Sequence, residues 1–362
     1  MFIEITNEVA NLAVEKDIEL NNPASEIINM VLESMRKRKH IVFIDRVSIN
    51  VLLQCNSIDN KSKLMLKWIS NNLNDLNSIK KKLTTYIVIT TGDQSYKKDN
   101  IYYFSILEKI EFIETQLLTE NDEDYNFYKD IFTFINDDIV CDICLENNPF
   151  YGSNVASRIE NVYLERKIFL CVVDSDKSYE SQAKGDTYKS ANSKMKECGG
   201  FNPPRELYVL NVREKENLFP FNQYLNFCPS QKEFIKAIIS EANEESFRFI
   251  KIKEGIKKKY ILSKEGKYYE LYKGVFDKCK QKGILIESVS DKEYCIKGIN
   301  ADALKLASKD FFFKYSNKIL QDKTKMEEIF GKQQFIINEW KEIARKLFDY
   351  GCCLSKSVNF LA

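Results

Sequence analysis

Ile168-Phe169-Leu170-Cys171-Val172-Val173 is an apolar run without interruption. A strand with one wet face alternates apolar and polar residues, so an unbroken run of this length reads as a strand buried on both faces, as in a parallel sheet covered by helices. Asp174 and Asp176 follow at once, and a second acidic turn, Glu120 with Asp124, follows another strand-like segment. The carboxyl edge of an open α/β sheet is where ligands bind. Carboxylates converging in one crevice there repel one another unless a divalent cation joins them. The pattern points to metal chemistry.

The surrounding periodicities extend this into an α/β fold class. Strands are expected at 115–119, 139–144, 168–173 and 207–212, with helices at 124–135, 155–164 and 188–198 between them. Strictly alternating elements imply a parallel sheet with helices on both faces. This middle region, residues 111–224, carries the chemistry. Before it, residues 1–110 read as a smaller α/β domain, with a helix capped by Ser25 and running to Arg38, a strand Ile41–Asp45, one or two amphipathic helices over 51–79, and a strand at 85–90. Residues 225–362 read as mainly helical, interrupted by a short hairpin of 283–287 with 294–297. No long Pro/Gly linker separates the regions, so they are expected to pack together.

Composition excludes several alternatives. At 362 residues the chain accommodates about two to three domains. Lys+Arg number 54 against Asp+Glu 53, so any basic surface must be local. Neither a signal-peptide pattern nor an apolar stretch of membrane-spanning length is present, and the expectation is a cytoplasmic protein without a membrane partner. The 10 cysteines form no disulfide-like framework, and Cys141-x-x-Cys144 lacks a second pair to complete a zinc set. One histidine, His40, is too little for a Ser/His/Asp site without a Gly-x-Ser-x-Gly elbow. No G-x-x-x-x-G-K-[ST] phosphate loop occurs. Asp45 ends its strand as the first acid of a PIN-type nuclease would, but Arg46-Val47 follows where a small-residue turn is needed, which favours a structural or partner-binding domain. Lysines between Lys251 and Lys259, interleaved with Phe249 and Tyr260, serve equally as a solvated face or a phosphate track.

Within the acidic constellation each residue has a bland alternative. Asp124 sits near a helix N-terminus, where a carboxylate is favoured by the macrodipole and could simply cap. Asp174-Ser175-Asp176, if extended, points both carboxylates the same way, ready to share an ion. Arg213-Glu214-Lys215-Glu216 alternates charge, so that Glu214 and Glu216 would share a face, supplying a second metal site unless Arg213 or Lys215 neutralises them. Oxygen ligands without His or Cys select Mg²⁺ or Mn²⁺.

At Leu118-Thr119-Glu120-Asn121 with Asp124, and at Val172-Val173-Asp174-Ser175-Asp176-Lys177, the chain resembles the topoisomerase-primase (Toprim) domain. Arg213-Glu214-Lys215-Glu216-Asn217-Leu218-Phe219-Pro220 is similar to the segment that follows in Toprim nucleases of the overcoming-lysogenization-defect (OLD) kind, including stand-alone bacterial defence proteins. The resemblance covers about a third of the chain. It departs at Glu120-Asn121, where the family has Glu-Gly; Asn tolerates the left-handed geometry that Gly supplies. The ATPase region of OLD proteins is absent from this sequence. The resemblance implies a Toprim-like sheet and a metal-dependent nuclease acting on DNA or RNA. Glu120, Asp174 and Asp176 would hold the principal metal, and Asp124 and Glu216 would assist or hold a second. Lys177, or Lys184 or Lys189, would neutralise transition-state charge. It further implies an antiphage effector with an NTPase or sensor partner, and leaves a homo-oligomer open. The rival expectation is a non-catalytic Toprim-fold subunit that binds a partner.

Overall fold

The computed structural model describes residues 1–17, 22–136, 141–253, 255–257, 269–284, 294–296, 298–299 and 302–360. It is an α/β protein built on two separate sheets, one mostly and one wholly parallel.

The first sheet has the order β2-β1-β3-β5-β4. Its strands are β1 (Phe2–Ile5), β2 (Ile41–Ile44), β3 (Ile87–Thr90), β4 (Tyr96–Lys98) and β5 (Ile101–Ser105). The first four of the order pair in parallel, and β4 closes the edge antiparallel to β5. Helices α1 (Asn7–Glu15), α2 (Pro23–Arg36), α3 (Arg46–Leu52), α4 (Asn60–Asn71) and α5 (Leu73–Lys82) connect them. Three details differ from the sequence reading. β1, β4 and β5 are strands the reading does not place, β1 lying between β2 and β3. α2 starts two residues before Ser25 because Asn22 is its cap, accepting from the Ser25 amide at 3.2 Å, with Pro23 preset for the first turn. The segment read as one or two helices over 51–79 divides into α4 and α5, preceded by α3. Asp45 caps α3, accepting from the amides of Val47 and Ser48, a structural use of that carboxylate.

The second sheet positions the acids. Its order is β10-β9-β6-β8, and every pairing is parallel. The strands are β6 (Glu111–Leu118), β8 (Leu145–Asn147), β9 (Lys167–Val173) and β10 (Arg205–Val209), crossed over by α6 (Asp122–Ile135), α7 (Val155–Leu164) and α8 (Asp186–Glu197). From β6 the chain moves outward to β8, then returns to the other side of β6 for β9 and continues to β10. The winding therefore reverses between β6 and β9, and the carboxyl ends of those two strands form the crevice of a topological switch point.

β9 is buried from Ile168 to Val173, as its uninterrupted apolar run requires. The strand expected at 139–144 is split: Ile139 and Val140 lie outside the described residues, and β7 (Cys141–Ile143) leaves the sheet to pair antiparallel with β13 (Cys352–Leu354). Leu145-Glu146-Asn147, too polar to signal a buried strand, takes the edge position instead.

The regions share one hydrophobic cluster running from Phe2 to Leu354. The Phe335–Gly351 helix lies against α6, stacking Phe348 on Phe132 at 6.3 Å and setting Trp340 edge-on to Phe134 at 5.5 Å. Trp340 is fully buried and donates its indole N–H to the Leu218 carbonyl at 2.8 Å, which ties the C-terminal region to the segment bearing Glu214 and Glu216. Of the hairpin expected at 283–287 with 294–297, residues 285–287 and Lys297 lie outside the described residues, and Tyr294–Ile296 pairs with Ile256–Lys257 instead. No described helix is long and apolar enough to cross a membrane.

Candidate metal centre

Glu120 and Asp174 follow neighbouring strands in register, with Leu118 opposite Cys171. After β6, Thr119 Oγ1 donates to the Asn121 carbonyl, and the Asn121 side chain accepts from the amides of Glu123 and Asp124, each at 3.0 Å. Asn121 is thus an N-cap in extended geometry, φ −152° and ψ 175°. The turn needs no left-handed residue, which corrects the reason expected for Asn in place of Gly. It starts α6 so that Asp124 falls in the first turn and turns inward, where it is 5% exposed.

After β9 the chain leaves the strand geometry. Asp174 is half-buried, and Ser175 is buried with its hydroxyl donating to the Val212 carbonyl at 2.6 Å. Asp176 has φ 55° and is exposed. A left-handed residue breaks the alternation on which the shared orientation of Asp174 and Asp176 was expected. The Asp176 side chain packs against Gly185, where an added Cβ would lie 2.4 Å from its carboxylate. Lys177 is turned the same way, donating to the Glu180 carbonyl at 2.8 Å, so the cation expected to serve the site is engaged on its own loop. Lys184 lies over the Tyr188 ring and Lys189 pairs with Asp186.

The acids Glu214 and Glu216 do converge, although through a short 3₁₀ turn, Lys215–Leu218, rather than a strand. This turn is clamped. Asn217 donates to the carbonyls of Phe247 and Ile250, Tyr224 donates to the Glu216 carbonyl, and Arg213 donates to the Lys177 carbonyl and Ser178 hydroxyl. Glu216 is 2% exposed. Lys253 Nζ stands 3.1 Å from Glu216 Oε2 and 3.5 Å from Glu214 Oε2. Lys215 reaches the other way, to Asp124, in a buried ion pair.

The acids of this centre feel one another. Burial pushes the Asp174 carboxyl well above its usual range, and the charges of Asp124, Glu216, Glu214 and Glu120 push it further. Burial likewise raises Asp124 to about 6 against the opposing pull of Lys215, with Glu120 and Glu216 adding to the rise. Glu214 is raised to about 7, by burial and then by Glu216, with Lys253 and Arg213 opposing. Tyr128, fully buried beneath, is pushed well up by burial and by Asp124, Asp174, Glu216 and Glu120. Glu120, Asp124, Asp174, Glu214 and Glu216 therefore lie within electrostatic reach of one another near the carboxyl ends of β6 and β9. Among the described residues Lys215 and Lys253 are the cations paired with these acids, which leaves part of their negative charge unanswered there.

That imbalance bears on a metal. Among the described residues no three His, Cys, Asp or Glu side chains stand close enough together to hold an ion as they lie. The lysines draw the carboxylates toward themselves. Even so, buried Glu214 Oε1 has no hydrogen-bond partner among the described residues, and Glu216 Oε2 has the Lys253 ammonium at 3.1 Å beside it. An orphaned buried carboxylate oxygen in an all-oxygen donor set fits a hard divalent cation. Lysine 253 was missed as a member of the site because it lies beyond residue 224 in the sequence. Only its packing beside the 214–216 turn reveals it.

A stability consequence follows from Glu214. Its folded carboxyl holds a proton up to about pH 7, whereas an unfolded glutamate releases it near 4.5. The folded state thus binds more protons over that window, and the Glu214 contribution to stability declines as pH rises through it, by roughly 1–3 kcal/mol. Without divalent metal, Glu214→Gln is expected to match the wild type near pH 5 and exceed it at pH 8 in urea denaturation. Destabilisation of equal size at both pH values would contradict this.

Comparison of the chain with family models, curated proteins and solved structures finds no match in any of the three.

Proposed function

We propose that the chain is a divalent-metal-dependent nuclease of Toprim type, hydrolysing phosphodiester bonds of DNA or RNA, and that it works in antiphage defence beside an NTPase or sensor partner. The observation that carries the reading is the gathering of Glu120, Asp124, Asp174, Glu214 and Glu216 within electrostatic reach of one another by the switch point of a parallel sheet, with charge left over, among the described residues, after Lys215 and Lys253. Asp174, Glu120 and Glu216 would hold the ion, with Glu214 beside them, and Asp124 remains the partner of Lys215. Bound there, Mg²⁺ or Mn²⁺ would polarise the phosphodiester and lower the pKa of an attacking water.

The residues divide the remaining work. Lys253, partly exposed, can release Glu216 and turn toward a substrate phosphate. Lys215, buried, keeps Asp124 charged and the α6 terminus in place. Asp176 and Lys177 shape the loop between β9 and α8 rather than the ion's surroundings.

The two lysines also support a second reading, in which the crevice is a self-neutralised structural centre and the chain a non-catalytic subunit that binds a partner. Incubation with plasmid, single-stranded DNA and total tRNA in Mg²⁺ or Mn²⁺ separates the two. Cleavage that EDTA stops and Glu120→Ala removes is the expected result. No cleavage of any substrate, with or without an NTPase partner, favours the scaffold.

A further inference from the structure

A groove leads away from the acidic crevice along α6, between it and the Ala303–Lys314 helix. Its near half, about 540 Å³, is bounded by Lys215, Asp122 and Phe127 on one side and Leu304, Lys305 and Ser308 on the other. Its far half, about 550 Å³, is walled by Phe134, Phe312, Phe313 and Tyr315, with Thr133 among its polar groups. Asp130 and Lys309 line both halves, so the two adjoin. From Asp124 to Phe134, α6 advances about 15 Å.

The outward face of the second helix is unusual for a soluble surface. Phe313 is 93% exposed and Leu306, one heptad earlier on the same face, is 51% exposed. Burying a phenylalanine side chain is favourable over leaving it in water, and this ring forgoes that gain. Lys309 and Lys314 flank it. Lys305 is answered by Glu123 at 3.0 Å, and Asp130 and Asp310 offset part of the remaining charge, with exposed Lys129 on α6 adding to it.

We propose that this groove holds an unpaired stretch of nucleic acid, with a base stacked on Phe313 and Lys309 and Lys314 meeting the adjoining phosphates. The inference rests on the nuclease reading for why a strand lies there, and it names the substrate class as one with a single-stranded segment. An exposed aromatic ring beside lysines accepts any base by its π-face, whereas bases within a duplex are already stacked on both sides. Lys215 lines the near half and pairs with Asp124, so a strand in the groove would run toward the acids.

The test is fluorescence anisotropy of a short labelled oligonucleotide, single-stranded and annealed to its complement, with the full chain and its variants. Phe313→Ala is expected to weaken single-strand binding about five- to a hundredfold, with an unchanged melting temperature because the ring is exposed. Phe313→Trp should restore it, and the duplex should bind more weakly than the single strand. Unchanged affinity in Phe313→Ala overturns the inference and assigns the face to a protein partner. Equal binding of duplex and single strand overturns the unpaired-strand assignment. The two readings fail separately: cleavage lost in Asp174→Asn with Phe313-independent binding refutes only the groove. Phe313-dependent binding without cleavage by the wild type in any metal refutes only the nuclease.

Discussion

If the proposed Mg²⁺-dependent cleavage is the activity, Asp174→Asn and Glu216→Gln are each expected to lower it by about a thousandfold while oligonucleotide affinity stays within a few-fold of the wild type. The size follows from what a ligand is asked to supply. A metal contributes several kcal/mol of transition-state stabilisation, and each 1.36 kcal/mol is a factor of ten in rate. Both side chains are held independently of the ion, Asp174 by the end of β9 and Glu216 by the clamped 3₁₀ turn. The amide replacements keep shape and each takes one carboxylate out of a group of acids that disfavour one another's charge. Their melting temperatures should therefore not fall, and Asp174→Asn should be the more stable of the pair with its parent when metal is absent, because the carboxylate it replaces resists ionisation. Loss of cleavage together with unfolding would point to a structural role instead.

Lys215→Met has a large effect of a different kind. Lys215 and Asp124 form a buried ion pair, with Asp124 5% exposed. Removing one member of such a pair strands the other charge and costs about 3–5 kcal/mol. The loss should be full at pH 8. It should shrink toward pH 5, because Asp124, already raised to about 6 with the lysine present, takes up a proton in the folded state while an unfolded aspartate near 3.8 remains charged. Asp124→Asn combined with Lys215→Met, leaving no stranded charge, should recover much of the stability. Urea denaturation at the two pH values measures both effects, and a loss below about 1 kcal/mol at pH 8 would contradict the buried pair.

How much of this was legible beforehand depended on whether a segment's partners were near it in sequence. The Ile168–Val173 run carries its own explanation, since only a strand covered on both faces is apolar throughout, and β9 occupies those residues. α7 begins and ends where the periodicity places it, Val155 to Leu164. The nearness of Glu120 and Asp174 followed from adjacent parallel strands. By contrast, Leu145-Glu146-Asn147 has no apolar pattern and becomes a strand only because β6 offers an open edge. Cys141–Ile143, which reads as part of a strand in the main sheet, is claimed by Cys352–Leu354 from the far end of the chain. The left-handed Asp176 overrides the alternation that Asp174-Ser175-Asp176 suggests, and the lysines that answer the acids are Lys215 and Lys253 rather than Lys177. Countercharges are chosen by tertiary packing, which a spacing rule between neighbours cannot see.

The central claim is that the crevice between β6 and β9 holds a divalent cation, and calorimetric titration of the wild type and Asp174→Asn with Mn²⁺ tests it most directly. Binding should release protons near pH 6.5, where Asp124, raised to about 6, and Glu214, raised to about 7, retain part of theirs, and it should tighten as pH rises to 8. Asp174→Asn should bind Mn²⁺ far more weakly. No heat of binding in the wild type, or equal affinity in the variant, would contradict the account.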